Sequence, residues 1–164
     1  MTSPMLLQPD DDAGIAAAIE AARSAMAAGQ SPFGSAIARG GVVVTSTGNT
    51  VWRDTDPSAH AEVNAIRAAC RALGTIDLSD CVLYSTCEPC PMCFATAHWA
   101  RIPCIVFGAR IADAAAAGFN EMALSNEQMK ALAGLRVELV AGARAAECRG
   151  LFVEWRQRAG ARAY

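Results

Sequence analysis

The sequence predicts a single α/β domain built in layers, in which at least some strands are parallel. Its 164 residues are the length of one domain, and 53% of them are apolar, so the chain can bury a large core. With 18% charged residues, disorder is not expected over most of the length. Short strand-like runs alternate with segments of helical periodicity, and this alternation is typical of α/β domains.

In the first half of the chain, two helical segments flank a hairpin. Ile15, Ile19 and Met26 recur at helical spacing before Gly29, which marks the end of that helix. The Gly40-Gly41 pair separates two β-rich runs, as in a tight hairpin turn. The predicted elements are a loose lead-in over 1–9, a helix over 11–29, strands over 34–39 and 42–47, a loop over 54–58 and a helix over 59–73.

In the second half, strands and helices continue to alternate without an internal repeat or a linker. The run from Cys81 to Thr86 is rich in β-forming residues, and Pro91 stands at the opening of the next helix, where proline is tolerated. The predicted elements are strands over 81–86, 103–108 and 136–140, and helices over 91–100, 113–117, 125–133 and 144–158. We therefore expect residues 1–164 to form one domain.

The composition argues against several classes of protein. The net charge of −2 gives no overall basic field, which argues against a nucleic-acid partner. No stretch approaches the apolar length of a membrane span, and the first ten residues lack the basic region and apolar core of a signal peptide. The seven cysteines are odd in number, unlike a disulfide scaffold. We expect a reduced, cytoplasmic protein without membrane association.

Three residues have the chemistry of zinc ligands. His60 stands at the start of one predicted helix, and Cys90 and Cys93 stand at the start of another, where the helix N-terminus favours thiolates. One imidazole and two thiolates suit zinc, and three protein ligands leave a fourth position for water, as in catalytic sites. Glu62 is poorly placed to chelate the same ion as His60, so we predict that it transfers protons to and from that water.

Other interpretations use the same cysteines. Cys87, Cys90 and Cys93 begin like an iron–sulfur run, but position 97, where the pattern needs a fourth cysteine, is alanine. Cys87 and Cys90 also have the spacing of a redox pair, which is a weak signal alone. A structural zinc or redox-sensing module is the alternative outside the enzymes. We expect Cys87 to have a packing role, and four cysteines on apolar segments to lie in the core: Cys70, Cys81, Cys104 and Cys148.

Longer segments around the metal motif are similar to those of a known protein family. They are Ser31-Pro-Phe-Gly34, Asn49, His60-Ala-Glu-Val-Asn-Ala-Ile-Arg67, Leu83-Tyr-Ser-Thr-Cys-Glu-Pro-Cys-Pro-Met-Cys93, Trp99-Ala-Arg101 and Asp113-Ala-Ala-Ala-Ala-Gly-Phe-Asn-Glu121. With them the chain resembles the cytidine deaminase-like superfamily of zinc-dependent deaminases. The Cys87–Cys93 motif, the segment 118–121 and the terminal Tyr164 make it most similar to the bacterial guanine deaminase branch.

The resemblance implies a three-layer α/β/α domain with a central mixed sheet of about five strands. It also implies a homodimer in which the C-terminal tail, here residues 155–164, crosses to the partner subunit and closes its active site. One zinc ion per subunit is expected. The implied roles are zinc ligation by His60, Cys90 and Cys93, proton transfer by Glu62 and Glu121, and substrate binding by Asn49, Phe33, Ala61, Trp99 and Tyr164.

The reaction that the resemblance implies is hydrolytic deamination of a small nucleobase, with guanine giving xanthine and ammonia. Ammeline or another amino-triazine, guanosine, and cytosine-type bases are alternative substrates. A tRNA adenosine deaminase shares the metal motif, but that role needs a basic surface facing the RNA. This chain has a single lysine, Lys130, so we do not expect a nucleic-acid substrate.

Overall fold

The computed structural model describes residues 12–164; the predicted lead-in over 1–9 and Asp11, the first residue of the predicted helix, lie outside the described residues. The helices are α1 (Asp12–Ala27), α2 (Val51–Asp54), α3 (Ala61–Leu73), α4 (Pro91–Trp99), α5 (Ile111–Ala116), α6 (Asn126–Ala133) and α7 (Ala145–Arg156). The strands are β1 (Gly34–Arg39), β2 (Val42–Gly48), β3 (Cys81–Cys87), β4 (Cys104–Ala109) and β5 (Glu138–Ala141). Within this range no helix combines the length and apolar character needed to span a bilayer.

The strands form one mixed sheet in the order β2-β1-β3-β4-β5. β1 pairs antiparallel with both β2 and β3, whereas β3, β4 and β5 run parallel to one another. Because β3 and β4 are parallel, their carboxyl ends lie at the same edge of the sheet, and that edge is where ligands bind in open α/β sheets. The predicted mixed sheet of about five strands is confirmed.

Alternate residues of the central strands face two separate hydrophobic clusters. Tyr84 and Val106 belong to the cluster that contains the apolar faces of α1 and α7. Their neighbours Leu83 and Ile105 belong to the cluster that contains the apolar faces of α3 and α4. Because side chains alternate across a strand, one sheet can bury a helical layer on each face. The predicted three-layer α/β/α arrangement is confirmed.

α1 lies so close to β1 that one position admits only glycine. A Cβ at Gly34 would lie 2.0 Å from the carbonyl oxygen of Ala18 and 2.4 Å from the backbone nitrogen of Ala22. Both are backbone atoms of α1, so they cannot move aside without the helix. The N–H of Gly34 also donates to Thr86 Oγ1 on β3 at 3.1 Å. These contacts fix the chain immediately after Phe33 against the sheet.

Two short helices differ from the prediction. α5 begins at Ile111 rather than at 113, because the Asp113 carboxylate accepts a hydrogen bond from the Arg110 N–H at 2.8 Å and so lies within the first turn. α2 was not predicted, since four residues are too few to show helical periodicity. Other boundaries shift by one or two residues: α3 begins at Ala61, β5 at Glu138, and α7 ends at Arg156.

Candidate active site

The structure brings the side chains of His60, Cys90 and Cys93 together at the starts of two helices. His60 immediately precedes α3, Cys90 immediately precedes α4, and Cys93 lies in the first turn of α4. His60 Nδ1 lies 3.6 Å from the Sγ of Cys90 and 3.6 Å from the Sγ of Cys93. The two sulfurs are also 3.6 Å apart. Among the described residues, these three side chains form the group whose donor atoms converge as metal ligands do.

A tetrahedral zinc ion fits this triangle of donor atoms. Zinc lies about 2.3 Å from thiolate sulfur and about 2.0–2.1 Å from imidazole nitrogen, so tetrahedral angles place neighbouring donors roughly 3.5–3.8 Å apart. The three edges of 3.6 Å agree with this range. Hydrogen bonds from the Cys93 thiol and from His60 lower the pKa of Cys90 to about 4, so its sulfur is a thiolate at neutral pH.

Glu62 lies beside the three ligands without joining them. It is the second residue of α3 and is 5% exposed. Its Oε1 accepts a hydrogen bond from Ser85 Oγ at 3.0 Å, and its Oε2 lies 3.4 Å from Cys93 Sγ. Burial raises the pKa of this carboxyl. A carboxyl group that holds a proton more readily than usual is suited to general acid–base catalysis.

A small pocket adjoins the ligands and contains a second acid. Burial, followed by the negative charge of Cys90, raises the pKa of Glu121 to about 7. The free cavity has a volume of about 20 Å³, which holds about one water molecule. The residues that line it are Phe33, Asn49, His60, Glu62, Cys87, Glu88, Cys90, Glu121 and Tyr164.

The C-terminal tail occupies the pocket of its own chain. The Tyr164 hydroxyl accepts a hydrogen bond from Asn49 Nδ2 at 2.6 Å, and the Tyr164 ring centroid lies 5.7 Å from that of His60. The Tyr164 carbonyl accepts a hydrogen bond from the Asn120 N–H at 3.0 Å. These contacts lie within one chain, so the crossing of the tail to a partner subunit stays a prediction.

The three remaining predicted substrate contacts have different outcomes. Phe33 lines the pocket and packs edge-to-face on Phe119, with ring centroids 4.8 Å apart. Ala61 is fully buried at the start of α3, but it is not among the pocket-lining residues. Trp99 lies outside the pocket and is 79% exposed. Its predicted contact is not found within this chain, because the buried face of α4 is the one that carries Cys93, and Trp99 lies on the opposite face.

A family model places the metal centre among known deaminases. The model of the cytidine and deoxycytidylate deaminase zinc-binding region matches residues 8–109, which is more than half of the chain. The chain belongs to this family of zinc-binding deaminases. The matched range contains all three ligands and Glu62. Glu121 and Tyr164 lie beyond it.

The relatives of this chain include deaminases of different bases. The guanine deaminase of Bacillus subtilis (strain 168) is 46% identical over 96 residues, which are 58% of this chain and 62% of that protein. The chain thus matches about three fifths of this relative's length. The tRNA-specific adenosine deaminase of Bacillus subtilis (strain 168) is 34% identical over 134 residues, which are 82% of this chain and 81% of that protein.

Structural similarity extends over nearly the whole chain. The solved structure of a guanine deaminase from Nitrosomonas europaea matches with a TM-score of 0.82 and 28% identity. The match covers 94% of this chain and 88% of that chain. The predicted cytidine deaminase-like fold is therefore confirmed by comparison as well as by the observed topology.

Two buried polar residues near the metal centre were not predicted. Ser85 donates to Glu62, and Glu88 lines the pocket while being 4% exposed. A sequence signal existed for both residues. Ser85 is a polar residue within the apolar run of β3, and Glu88 is a charged residue between that strand and Cys90. Buried polar groups need hydrogen-bond partners, so each position implied a specific contact.

Proposed function

We propose that this deaminase removes an exocyclic amino group from a nucleobase by hydrolysis, and that guanine is its substrate, giving xanthine and ammonia. The strongest support is the position of Glu62, which lies beside the three ligands and in the same pocket as Glu121. His60, Cys90 and Cys93 would hold one zinc ion per subunit, which supplies an activated water molecule when bound.

Two carboxyl groups divide the proton transfers of this reaction. Glu62 takes a proton from the attacking water and delivers it to the ring nitrogen beside the amino-bearing carbon, which makes that carbon more electrophilic. Glu121, with its pKa at about 7, helps to deliver a proton to the leaving amino group. The water oxygen bonds to the carbon and the carbon–nitrogen bond breaks, so guanine and water give xanthine and ammonia.

Asn49 is oriented to donate a hydrogen bond to the base. It is 1% exposed, and its Oδ1 accepts a hydrogen bond from the Val51 N–H at 3.1 Å. Its Nδ2 therefore faces the pocket, where it donates to the Tyr164 hydroxyl. A purine carbonyl oxygen or an unprotonated ring nitrogen is an acceptor of the same kind. We propose that such an atom replaces the Tyr164 hydroxyl when substrate binds.

Guanine is the substrate that we propose first, because guanine deaminases are similar to this chain both in sequence and in structure. Ammeline or another amino-triazine, guanosine and cytosine-type bases stay alternatives. A tRNA adenosine is a second candidate, because a tRNA-specific adenosine deaminase aligns over 82% of the chain. The net charge of −2 and the single lysine oppose an RNA substrate. A structural-zinc or redox module would release no ammonia from any of these compounds.

We propose further that the protein is a cytoplasmic homodimer, as in the resembling branch. In support of a reducing compartment, the seven cysteines of the chain all lie within the described residues and are all free. In support of an interface, Met92 and Trp99 expose apolar surface on α4. Light scattering coupled to size-exclusion chromatography gives the mass of the particle directly.

An ammonia-release screen tests the substrate. Zinc-loaded protein is incubated with guanine, guanosine, cytosine, adenine, ammeline and a tRNA anticodon stem, and ammonia is measured with a coupled enzyme assay. We expect the highest kcat/KM with guanine and a purine product with the absorbance of xanthine. If the anticodon stem is the only compound turned over, the substrate is a tRNA adenosine and not guanine. Absence of ammonia with every compound would favour the non-enzymatic alternative.

Glu62→Gln tests the mechanism. The amide keeps the shape of the side chain but cannot accept and return a proton, so we expect kcat to fall by roughly 10²- to 10⁴-fold. Elemental analysis should show unchanged zinc, because Glu62 is not one of the converging ligands. Glu127→Gln, an identical change at an exposed carboxyl, is the control. A folded, zinc-loaded Glu62→Gln protein with normal kcat would refute this role.

A further inference from the structure

Glu88 is a buried acidic residue that takes no part in the proposed proton transfers. It lies between the end of β3 and the ligand Cys90, and it is 4% exposed. Its Oε1 accepts a hydrogen bond from the Asn126 N–H at 2.8 Å, and its Oε2 accepts one from the Ile111 N–H at 3.3 Å. Asn126 and Ile111 are the first residues of α6 and α5. One side chain thus contacts the beginnings of two helices.

The loop that carries Cys90 is held by further hydrogen bonds. The side chain of Asn126, which is fully buried, donates from Nδ2 to the Pro89 carbonyl at 2.6 Å. The Glu88 N–H donates to the Ala109 carbonyl at the end of β4, at 2.8 Å. Residues 88 and 89 are therefore tied to β4, α5 and α6 immediately before the first cysteine ligand. These bonds add to the packing of α4 on α6 in placing Cys90 relative to those elements.

The two hydrogen bonds of the Glu88 side chain also hold the helices on either side of the segment that carries Glu121. This residue lies in the loop between α5 and α6, and Glu88 contacts the helix start on each side of that loop. An anchor at both helices limits how far the loop can move relative to the metal ligands. Catalytic groups must be held within about 0.5 Å of productive geometry, so a shared anchor for ligand and acid has a direct use.

We propose that Glu88 is a positioning residue that holds the metal ligand Cys90 and the second acid Glu121 in a fixed relation. Two N–H donors converge on it, so the position needs two acceptor oxygens. Glutamine has the same shape but offers only one, and its amide nitrogen would face one of the N–H groups. The part that concerns Cys90 depends on geometry alone. The part that concerns Glu121 rests on the proposed deaminase function.

Zinc retention tests the first part independently of any substrate. Zinc-loaded wild-type protein and Glu88→Gln are mixed with an excess of a chromogenic chelator, and the rate of zinc transfer is recorded. We expect Glu88→Gln to lose zinc about 10- to 100-fold faster, the range typical for residues that orient metal ligands. Glu20→Gln, the same chemical change at an exposed position of α1, should match wild type. A folded Glu88→Gln protein with wild-type zinc release would overturn the proposal.

Asn126→Leu covers the case in which Glu88→Gln does not fold. It keeps the number and branching of the side-chain heavy atoms and the backbone N–H to Glu88, but removes the bond to the Pro89 carbonyl. We expect faster zinc release here as well, by at least threefold. Release at the wild-type rate would show that the loop does not need these bonds, and would overturn the proposal.

Kinetics with guanine test the part that concerns Glu121. We expect Glu88→Gln to lower kcat about 10- to 100-fold with KM within threefold, measured at saturating zinc. The fold-decrease in kcat caused by Glu88→Gln should be at least threefold smaller when Glu121 is already glutamine than in the wild-type protein. The acid that Glu88 positions is then already absent. Equal losses in both backgrounds would overturn the coupling. Failure of every base in the screen would remove the proposed function and leave the zinc-retention result standing.

Discussion

Ser85 shows how a single side chain sets the orientation of Glu62. It lies on β3, is 2% exposed, and donates its hydroxyl hydrogen to Glu62 Oε1 at 3.0 Å. The start of α3, the helix that carries Glu62, is fixed as well. Thr47 Oγ1 donates to the carbonyl of Ala61, the first residue of α3, at 2.8 Å. The carboxyl group of Glu62 is thus held by the sheet as well as by its own helix.

Ser85→Ala should lower kcat while leaving KM and zinc content unchanged. A hydrogen bond to a charged group contributes about 1.5–3 kcal/mol, so we expect a loss of roughly 10- to 100-fold if the bond persists in the transition state. Ser85→Thr keeps the hydroxyl and should restore most of the rate. Steady-state kinetics on zinc-loaded protein measure both variants. Full activity of Ser85→Ala would show that packing alone orients Glu62.

Short spacing in the sequence predicted the residues of the candidate metal centre. Cys90 and Cys93 lie within one helical turn, and Glu62 follows two residues after His60, so their types and order carry the information. Ser85 and Glu88 were not predicted, because their partners are 23 to 38 residues away along the chain. Such contacts depend on strand order and helix placement, which local periodicity does not contain.

At the scale of elements, hydrophobic periodicity predicted most helices and strands because their burial alternates or repeats within a few residues. The short α2 could not be predicted this way. It begins where the Asn49 side chain accepts a hydrogen bond from the Val51 N–H, so a side chain of the pocket is also part of the fold. Periodicity also does not predict how closely two elements approach each other. Between α1 and β1, the close approach depends on Gly34.

Gly34→Ala should destabilise the protein, whereas Gly150→Ala should not. A Cβ at Gly34 meets backbone atoms of α1 at 2.0 Å and 2.4 Å, so we expect a loss of about 3 kcal/mol from overpacking. At Gly150, within α7, no atom outside its own helical turn lies within 4 Å of a new Cβ. The better helix propensity of alanine should add roughly 0.5–1 kcal/mol there.

Urea unfolding at constant zinc measures both glycine variants, with the free energy of unfolding taken from linear extrapolation. Gly150→Ala is the control for the general effect of replacing glycine by alanine. Equal stability of the two variants would mean that α1 can shift away from β1 at little cost. The close packing at Gly34 would then have no structural importance.

At the scale of the whole molecule, the last residues of the chain lie against the candidate active site. Tyr164 and Asn49 are separated by 115 positions, yet they form a 2.6 Å hydrogen bond. Arg162 lies over the Trp52 ring, 3.6 Å from its centroid, which adds a cation–π contact. The free cavity beside Tyr164 has a volume of about 20 Å³, so we expect the tail to shift when the proposed base binds.

Removal of residues 162–164 should therefore change catalysis more than stability. The truncated chain loses the Asn49 and Trp52 contacts but keeps all three metal ligands, so zinc content should not change. We expect kcat to fall at least tenfold, because an open pocket admits bulk water around the reacting groups. Zinc analysis, urea unfolding and steady-state kinetics on the truncated protein measure the three quantities.

Co-expression of the truncated chain with full-length Glu62→Gln decides which subunit receives the tail. If Tyr164 of each subunit closes the pocket of its own chain, the mixed oligomers should be no more active than the truncated chain alone. If the tail crosses instead, the Glu62→Gln subunit would cover the intact site of its truncated partner, and activity would recover. Because recovery needs one working Glu62 and one tail at the same site, it would demonstrate the exchange between subunits.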